Sequence, residues 1–224
     1  MERMGRAAPL IWLHGFASGP GSTKGLYLRD RLREQGRDLL LPDLNLPAFR
    51  GLTVTRMLGV VTELARGERV TLFGSSLGGY TAALWAAAHP EQVAALVLLA
   101  PAFDLAARWE ARTTPAQLAS WRESGSLKVE HYGTGRDEEL AYAFLEDAGG
   151  FPAFPLPRAP TLVLQGVRDE TVPPQLADEF ARRMAETGRP VRLVMLPEGH
   201  QLTDDLPGLW RAIDSFLQAP RPTP

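Results

Sequence analysis

The sequence predicts an α/β protein built on a parallel sheet with helices on both faces. Three observations carry that expectation. Apolar runs of strand length alternate with amphipathic stretches of helix length along most of the 224 residues. Those runs are hydrophobic almost without a break, as strands covered on both faces are. Gly74-Ser75-Ser76-Leu77-Gly78 then joins one of them directly to an alanine-rich stretch, a strand-to-helix turn that carries a serine.

Taken in order, the first strand is Pro9 to Leu13, closed by His14-Gly15, and a helix from Thr23 to Gln35 leads to a second strand, Asp38 to Leu41. A helix from Thr53 to Ala65 precedes the third strand, Val70 to Gly74, and the alanine-rich helix Leu77 to Ala88 follows the turn. The fourth strand is Val93 to Ala100. After a long connection come strand Thr161 to Gln165, helix Pro174 to Thr187, strand Val191 to Leu196 and helix Asp204 to Leu217. No internal repeat and no low-complexity segment interrupts this order.

The long connection runs for about sixty residues, Pro101 to Pro160, where a parallel crossover needs roughly a dozen or more. Thr114-Pro115-Ala116-Gln117 reads as a helix cap, a proline in the first helical position and a glutamine three after the cap, opening a short helix to about Glu123. Leu127, Val129 and His131 alternate as a strand does, Gly133-Thr134-Gly135 turns, and Asp137 to Ala148 is expected to be helical with Leu140, Phe144 and Ala148 on one face. The segment from about 104 to 157 is therefore an insertion, placed to roof a site at the carboxyl ends of the strands.

Composition narrows the function classes. With 45% hydrophobic residues the chain can bury one sizeable core, so a single domain over 1–224 with one site is expected. A formal net charge of −2 and no lysine-rich run argue against a nucleic-acid partner. The chain has no cysteine, which leaves serine to do any covalent work. The apolar stretch before His14 is too short for a signal-peptide core or a membrane span, so the expected location is cytoplasmic with no membrane partner. Residues 219–224, rich in proline, are expected to be a frayed tail. Homo-oligomerisation is not decided by anything in the sequence.

A serine hydroxyl attacks poorly near neutral pH unless a base takes its proton and a third group orients that base. Small residues on both sides of Ser76 allow a turn sharp enough to push its hydroxyl out of the sheet top. Of the four histidines, His200 lies in the loop after the last strand, where it can point back over the sheet. His89 ends the helix after the turn, His131 belongs to the insertion, and His14 is better placed to organise its loop than to act as a base. Two carboxylates follow strand ends, Asp169 after the fifth strand and Asp104 after the fourth. The order Ser…Asp…His holds for both and does not separate them, and Asp169 is the preferred of the two. The Leu77 amide opens the following helix and the Phe16 amide lies in the glycine-rich loop after the first strand, so the two are the expected donors to a developing oxyanion. That loop lacks the spacing of a nucleotide phosphate cradle, and Ser22-Thr23-Lys24 does not supply it.

His14-Gly15-Phe16, Gly74-Ser75-Ser76-Leu77-Gly78-Gly79, Gly166-Val167-Arg168-Asp169-Glu170-Thr171-Val172-Pro173 and Glu198-Gly199-His200 resemble the α/β-hydrolase superfamily over nearly the whole chain. The run from His14 to Lys24, the doubled Gly78-Gly79 and Tyr142 to Asp147 are similar to a compact serine esterase and thioesterase-like subgroup. The resemblance implies a minimal α/β-hydrolase fold of about six parallel strands flanked by helices, with a small lid-like insertion after the fourth strand. Only eight residues precede the first strand, so the usual opening strand pair is expected to be missing. It also implies Ser76 as nucleophile, Asp169 as acid, His200 as base, and Phe16 with Leu77 as the oxyanion hole. No metal and no cofactor are implied.

The expected activity is hydrolysis of a small-molecule acyl ester or thioester through an acyl-enzyme. Phe16, Tyr80 and the insertion residues Trp109, Trp121, Tyr142 and Phe144 are candidates to line an apolar acyl pocket. A small-peptide hydrolase or an acyltransferase would keep the same three residues. A dehalogenase would want a carboxylate at position 76, and a non-catalytic binding protein would have no use for the intact constellation.

Overall fold

A computed structural model describes residues 8–219 of the chain, so most of the expected tail at 219–224 lies outside the described residues. Six strands form one wholly parallel sheet: β1 (Leu10–Leu13), β2 (Leu39–Leu40), β3 (Val70–Ser75), β4 (Val93–Leu99), β7 (Thr161–Gly166) and β8 (Val191–Leu196), in the order β2-β1-β3-β4-β7-β8. Two further strands, β5 (Ser126–His131) and β6 (Arg136–Ala141), pair antiparallel in the insertion. The helices are α1 (Thr23–Glu34), α2 (Val54–Ala65), α3 (Leu77–Ala88), α4 (Leu105–Arg112), α5 (Pro115–Ser124), α6 (Ala143–Gly149), α7 (Pro174–Glu186) and α8 (Leu206–Gln218).

Side chains alternate across a strand, and here both sets are apolar. Leu10, Trp12, Phe73, Val97, Leu99, Leu162 and Leu164 pack with Leu28 and Leu32 of α1 and Leu209 and Ile213 of α8. Ile11, Leu13, Leu72, Leu96, Leu98 and Val163 face the other way, against α2, α3, α7 and the insertion. This explains why the strand sequences are hydrophobic without a break. α3 lies deep in the second layer with ten of its residues buried, so its sequence shows no polar face.

The strand order reverses between the neighbouring strands β1 and β3. The chain leaves β1 toward β2 on one side and returns as β3 on the other. In open parallel sheets the crevice at the carboxyl ends of such a pair is where ligands bind, because the two following loops diverge there. Those loops are the glycine-rich run after Leu13 and the turn at Ser76.

The insertion differs in part from the sequence expectation. Its helix α5 opens as read: the Thr114 hydroxyl accepts from the Gln117 amide at 3.2 Å, and the Gln117 side chain accepts from the Thr114 amide at 3.0 Å. The helix expected over 137–148 is instead strand β6 followed by helix α6. The physical reason is that β5 would otherwise leave a row of backbone donors and acceptors unpaired, and the 132–135 turn folds β6 back to meet them. Leu140 reaches the core from a strand while Phe144 and Ala148 reach it from a helix, so their spacing by four imitates a helical face. Helix α4 was not expected at all.

Candidate active site

Ser76 sits between β3 and α3 at φ +53° and ψ −117°, a backbone region that non-glycine residues seldom occupy. Several contacts hold it there. The Ser76 amide donates to Leu99 C=O at 2.9 Å, while the Ser76 carbonyl accepts from the Tyr80 and Ala102 amides, each at 3.0 Å. The flanking glycines make the turn sterically feasible: a Cβ on Gly74 would lie 2.4 Å from Gly78 O, and one on Gly78 would lie 2.1 Å from Leu13 O. The neighbouring Ser75 ends β3 and is buried.

His200 lies in the loop between β8 and α8, which is packed hard onto the end of β7. A Cβ on Gly166 would lie 2.5 Å from both Glu198 O and Gly199 O, and the Arg168 amide donates to Glu198 C=O at 2.9 Å. The imidazole then bridges two groups, with Nε2 3.1 Å from Ser76 Oγ and Nδ1 2.8 Å from Asp169 Oδ2. Asp169 is fixed in turn, its Oδ1 accepting from the Thr171 and Val172 amides at 2.9 and 2.8 Å. Burial pushes the Asp169 carboxyl up, but the hydrogen bonds from His200, the Val172 amide and Gln165 outweigh it and leave the acid below its ordinary range. An anionic Asp169 accepts from Nδ1–H, which leaves Nε2 as the acceptor facing the Ser76 hydroxyl.

The structure separates the two candidate acids. His200 meets Asp169, whereas Asp104 sits at φ +54° at the start of α4, its amide donating to Ala153 C=O. The other histidines are held elsewhere. His89 stacks on Trp85, with ring centroids 4.3 Å apart, and His131 is buried edge-on against Phe49 in the insertion. His14 accepts from the Leu44 amide at Nε2, 3.0 Å, so its Nδ1 carries the proton and donates to Gly15 C=O at 2.9 Å. Burial lowers the His14 pKa, with Gly15 C=O and Asp43 acting against the shift, which agrees with a neutral ring. The Gly15 carbonyl so held belongs to the same peptide unit as the Phe16 N–H.

A cavity of about 950 Å³ opens at Ser76 and His200. Its walls are the run from Gly15 to Lys24, the segment from Asp43 to Phe49 and the hairpin tip from His131 to Thr134, with Phe16 beside the serine. Leu46 and Tyr132, 63% and 74% exposed, lie at its rim. The Leu77 amide opens α3, where a helix N–H has no partner within the helix.

Tyr80 and Phe144 are not on this cavity, which corrects their expected place in a substrate pocket. Tyr80 is buried beneath the site with its hydroxyl donating to Pro152 C=O at 2.9 Å. Phe144 is fully buried in an aromatic cluster, 5.7 Å from Phe16 and 5.4 Å from Trp109 between ring centroids. The space expected for an acyl chain is filled there by the insertion's own side chains, and Phe144 backs Phe16 rather than facing solvent.

Two residues at the site escaped the sequence reading. Gln165 is completely buried, and its amide donates to Asp169 Oδ2 at 2.9 Å. Its signal was a polar residue ending an otherwise apolar strand, which burial tolerates only with a partner. Lys24 is buried at the cavity, and its Nζ donates to Gln201 C=O. Its signal was a cation in the first turn of a helix, the end that disfavours positive charge. Among the described residues no group of three or more His, Cys, Asp or Glu could hold a metal ion, and no helix is long and apolar enough to cross a membrane.

Residues 9–217 match an uncharacterised protein family, UPF0227. Comparison with the curated proteins gives no match. Among solved structures, the mouse α/β hydrolase domain-containing protein 10 is 23% identical with a TM-score of 0.75, covering 95% of this chain and 90% of its own. A monoacylglycerol lipase from Paleococcus ferrophilus is 18% identical with a TM-score of 0.74, covering 94% and 95%. Est1E from Butyrivibrio proteoclasticus is 20% identical with a TM-score of 0.69, covering 96% and 88%. The architecture is the α/β-hydrolase fold.

Proposed function

We propose, from the premise that this chain belongs to the UPF0227 family and has the α/β-hydrolase fold, that it is a serine hydrolase cleaving a carboxylic ester or thioester of a small substrate. The observation that carries the reading is the continuous hydrogen-bond chain Ser76–His200–Asp169, opening on a cavity large enough for a small molecule. The name of the monoacylglycerol lipase among the neighbours supports an ester bond as the target.

In the acylation step, Ser76 Oγ attacks the carbonyl carbon as its proton passes to His200 Nε2. Asp169 holds the imidazole with Nδ1–H inward and stabilises the imidazolium that forms. The carbonyl oxygen becomes an oxyanion, and the Phe16 and Leu77 amides are the donors assigned to it. The C–O or C–S bond to the leaving group breaks as imidazolium returns the proton to it. Water then enters, gives a proton to Nε2 and attacks the acyl-serine carbonyl, and the imidazolium returns that proton to Ser76 Oγ as the acid leaves. Each step uses groups that the backbone already holds in place, so little reorganisation is required at the moment of reaction.

The substrate enters between the glycine-rich run and the hairpin tip, where Leu46, Phe49 and Tyr132 offer apolar contact. The aromatic cluster around Phe144 leaves no channel for a long acyl chain in its direction, and short-chain esters are the expected first substrates. The test is labelling with a fluorophosphonate followed by peptide mapping, beside hydrolysis of p-nitrophenyl and thioester substrates of graded length. Label on Ser76 with ester turnover supports the reading, and a folded protein with neither overturns it.

A further inference from the structure

One charged group at the cavity has no task in the steps above. Lys24 is the second residue of α1 and is 7% exposed. Its Nζ donates to the carbonyl of Gln201, the residue that follows His200, and it faces the buried carboxylates of Glu198 and Asp169. Burying an ammonium strips it of hydration, and placing it at a helix N-terminus adds to the cost. Packing alone does not require the charge, because a methionine has nearly the same length and shape.

The position of the contact says what the charge accomplishes. The His200 loop is gripped from the β7 side by Gly166 and by the Arg168 amide. Glu198 Oε2 accepts from the Asp204 amide at 2.9 Å, which closes the loop on itself. Lys24 reaches it from α1, on the other side of the reversal in strand order, and fastens it immediately beyond the imidazole. It thereby ties α1, which ends the glycine-rich loop carrying Phe16, to the loop that carries His200.

We propose that Lys24 is a positioning residue of the site: its ammonium fixes the His200 loop through the Gln201 carbonyl and sets the electric field on the Asp169–His200 pair. The inference rests on the serine-hydrolase reading. Desolvation pulls the Lys24 ammonium down to about 8, with Glu198 and then Asp169 opposing the fall, so the group is charged at neutral pH and discharges just above it. Because the ammonium faces Asp169, removing it takes a positive charge from beside the Asp169–His200 pair, and the acidic limb of the activity profile should move to higher pH.

The experiment compares the wild type with Lys24→Met and with Lys24→Cys. Because the chain has no cysteine of its own, the introduced thiol can be alkylated in denaturant and the protein refolded. Bromoethylamine rebuilds an ammonium of lysine's length there, and 1-bromopropane gives a neutral group of the same shape. Lys24→Met should lower both kcat and the rate of fluorophosphonate labelling of Ser76 by about 10- to 100-fold with KM little changed, as a small misplacement of a catalytic group does. The acidic limb of kcat/KM should move to higher pH, and the thermal midpoint should hold or rise. The aminoethylated protein should regain rate and profile and the propylated one should not, and this pair decides the question if the methionine variant does not fold. Equal labelling rates and pH profiles in the ammonium and neutral forms overturn the role of Lys24 while leaving the hydrolase reading intact. A wild type that neither labels nor turns over sinks the hydrolase reading itself, and this inference with it.

Discussion

Replacing Asp169 with asparagine tests the site most sharply, because four donors converge on its two oxygens. Oδ1 takes the Thr171 and Val172 amides, and Oδ2 takes His200 Nδ1–H and the Gln165 amide. An asparagine NH₂ at the Oδ1 place would face two backbone N–H groups that cannot turn away. At the Oδ2 place both neighbours can adapt. Gln165 can flip to present its Oε1, a buried acceptor with no partner among the described residues, and imidazole can move its proton to Nε2 and accept at Nδ1. The variant should therefore fold, losing about 1–3 kcal/mol with the charge-assisted hydrogen bonds. It should also be nearly inactive, because Nε2–H then points at Ser76 Oγ and cannot take its proton. The loss in kcat for such a tautomer error is about 10⁴, or about 5 kcal/mol of barrier. The assay is kcat on a p-nitrophenyl ester beside a thermal melt, with Asp104→Asn as the comparison. A folded Asp169→Asn variant retaining a tenth of wild-type kcat, or an equal loss in Asp104→Asn, would refute the assignment.

The remaining expectations follow from the same contacts. Ser76→Ala should abolish fluorophosphonate labelling while Ser75→Ala keeps it, and label mapped to Ser75 would place the turn one residue out of register. Phe144→Ala should cost about 3–5 kcal/mol by opening a hole behind Phe16. It should leave acyl-chain preference unchanged, since the ring does not touch the cavity; a melt and a chain-length panel on one variant check both. Folding stability should rise between pH 8 and 10, because the unfolded chain still binds the Lys24 proton that the folded protein has released. The full gain is about 3 kcal/mol for a lysine moved from its ordinary 10.5 to about 8. Above pH 10 the gain should reverse, since burial raises the Tyr80 phenol and the unfolded chain then ionises first. Denaturant titrations across this range should show the rise flattened in Lys24→Met.

What was legible in the sequence was what local sterics dictate. Gly74 and Gly78 are demanded by contacts within a few residues of Ser76 and with the end of β1, so the turn announced itself. Strand runs covered on both faces were equally plain, and all six were found near their expected places. The choice between Asp104 and Asp169 depended on which strand end lies near His200, a matter of sheet order that no local pattern encodes. In the insertion, four-residue spacing misread β6 as helix because one apolar residue, Leu140, is too few to show alternation. The substrate-pocket expectation for Tyr80 and Phe144 failed because aromatic content does not tell which rings meet solvent and which meet one another. The inward turn of Lys24 depended on how α1 docks against the His200 loop.

Three departures from ordinary folding economy meet at the candidate site. Ser76 occupies a backbone conformation costing about 1–3 kcal/mol, Lys24 is an ammonium buried at the unfavourable end of a helix, and Gln165 keeps behind Asp169 an acceptor with no partner among the described residues. Ser76 and Lys24 follow the two strands between which the order reverses, Gln165 ends β7 against Asp169, and none is required by the packing of the sheet. A chain selected for stability alone would shed them, since an unstrained turn, a methionine and an aliphatic residue would each fold more readily. Their retention at one site is explained if each serves the same hydrogen-bond chain: the strain presents the hydroxyl, Gln165 holds the acid, and Lys24 holds the loop of the base. The order in which the three fail is then informative. Relieving the charge should hold or raise stability and slow the chemistry, whereas a residue retained only for packing would lose stability and leave the chemistry alone, so the thermal midpoint and the Ser76 labelling rate measured together on Lys24→Met discriminate before any substrate is known.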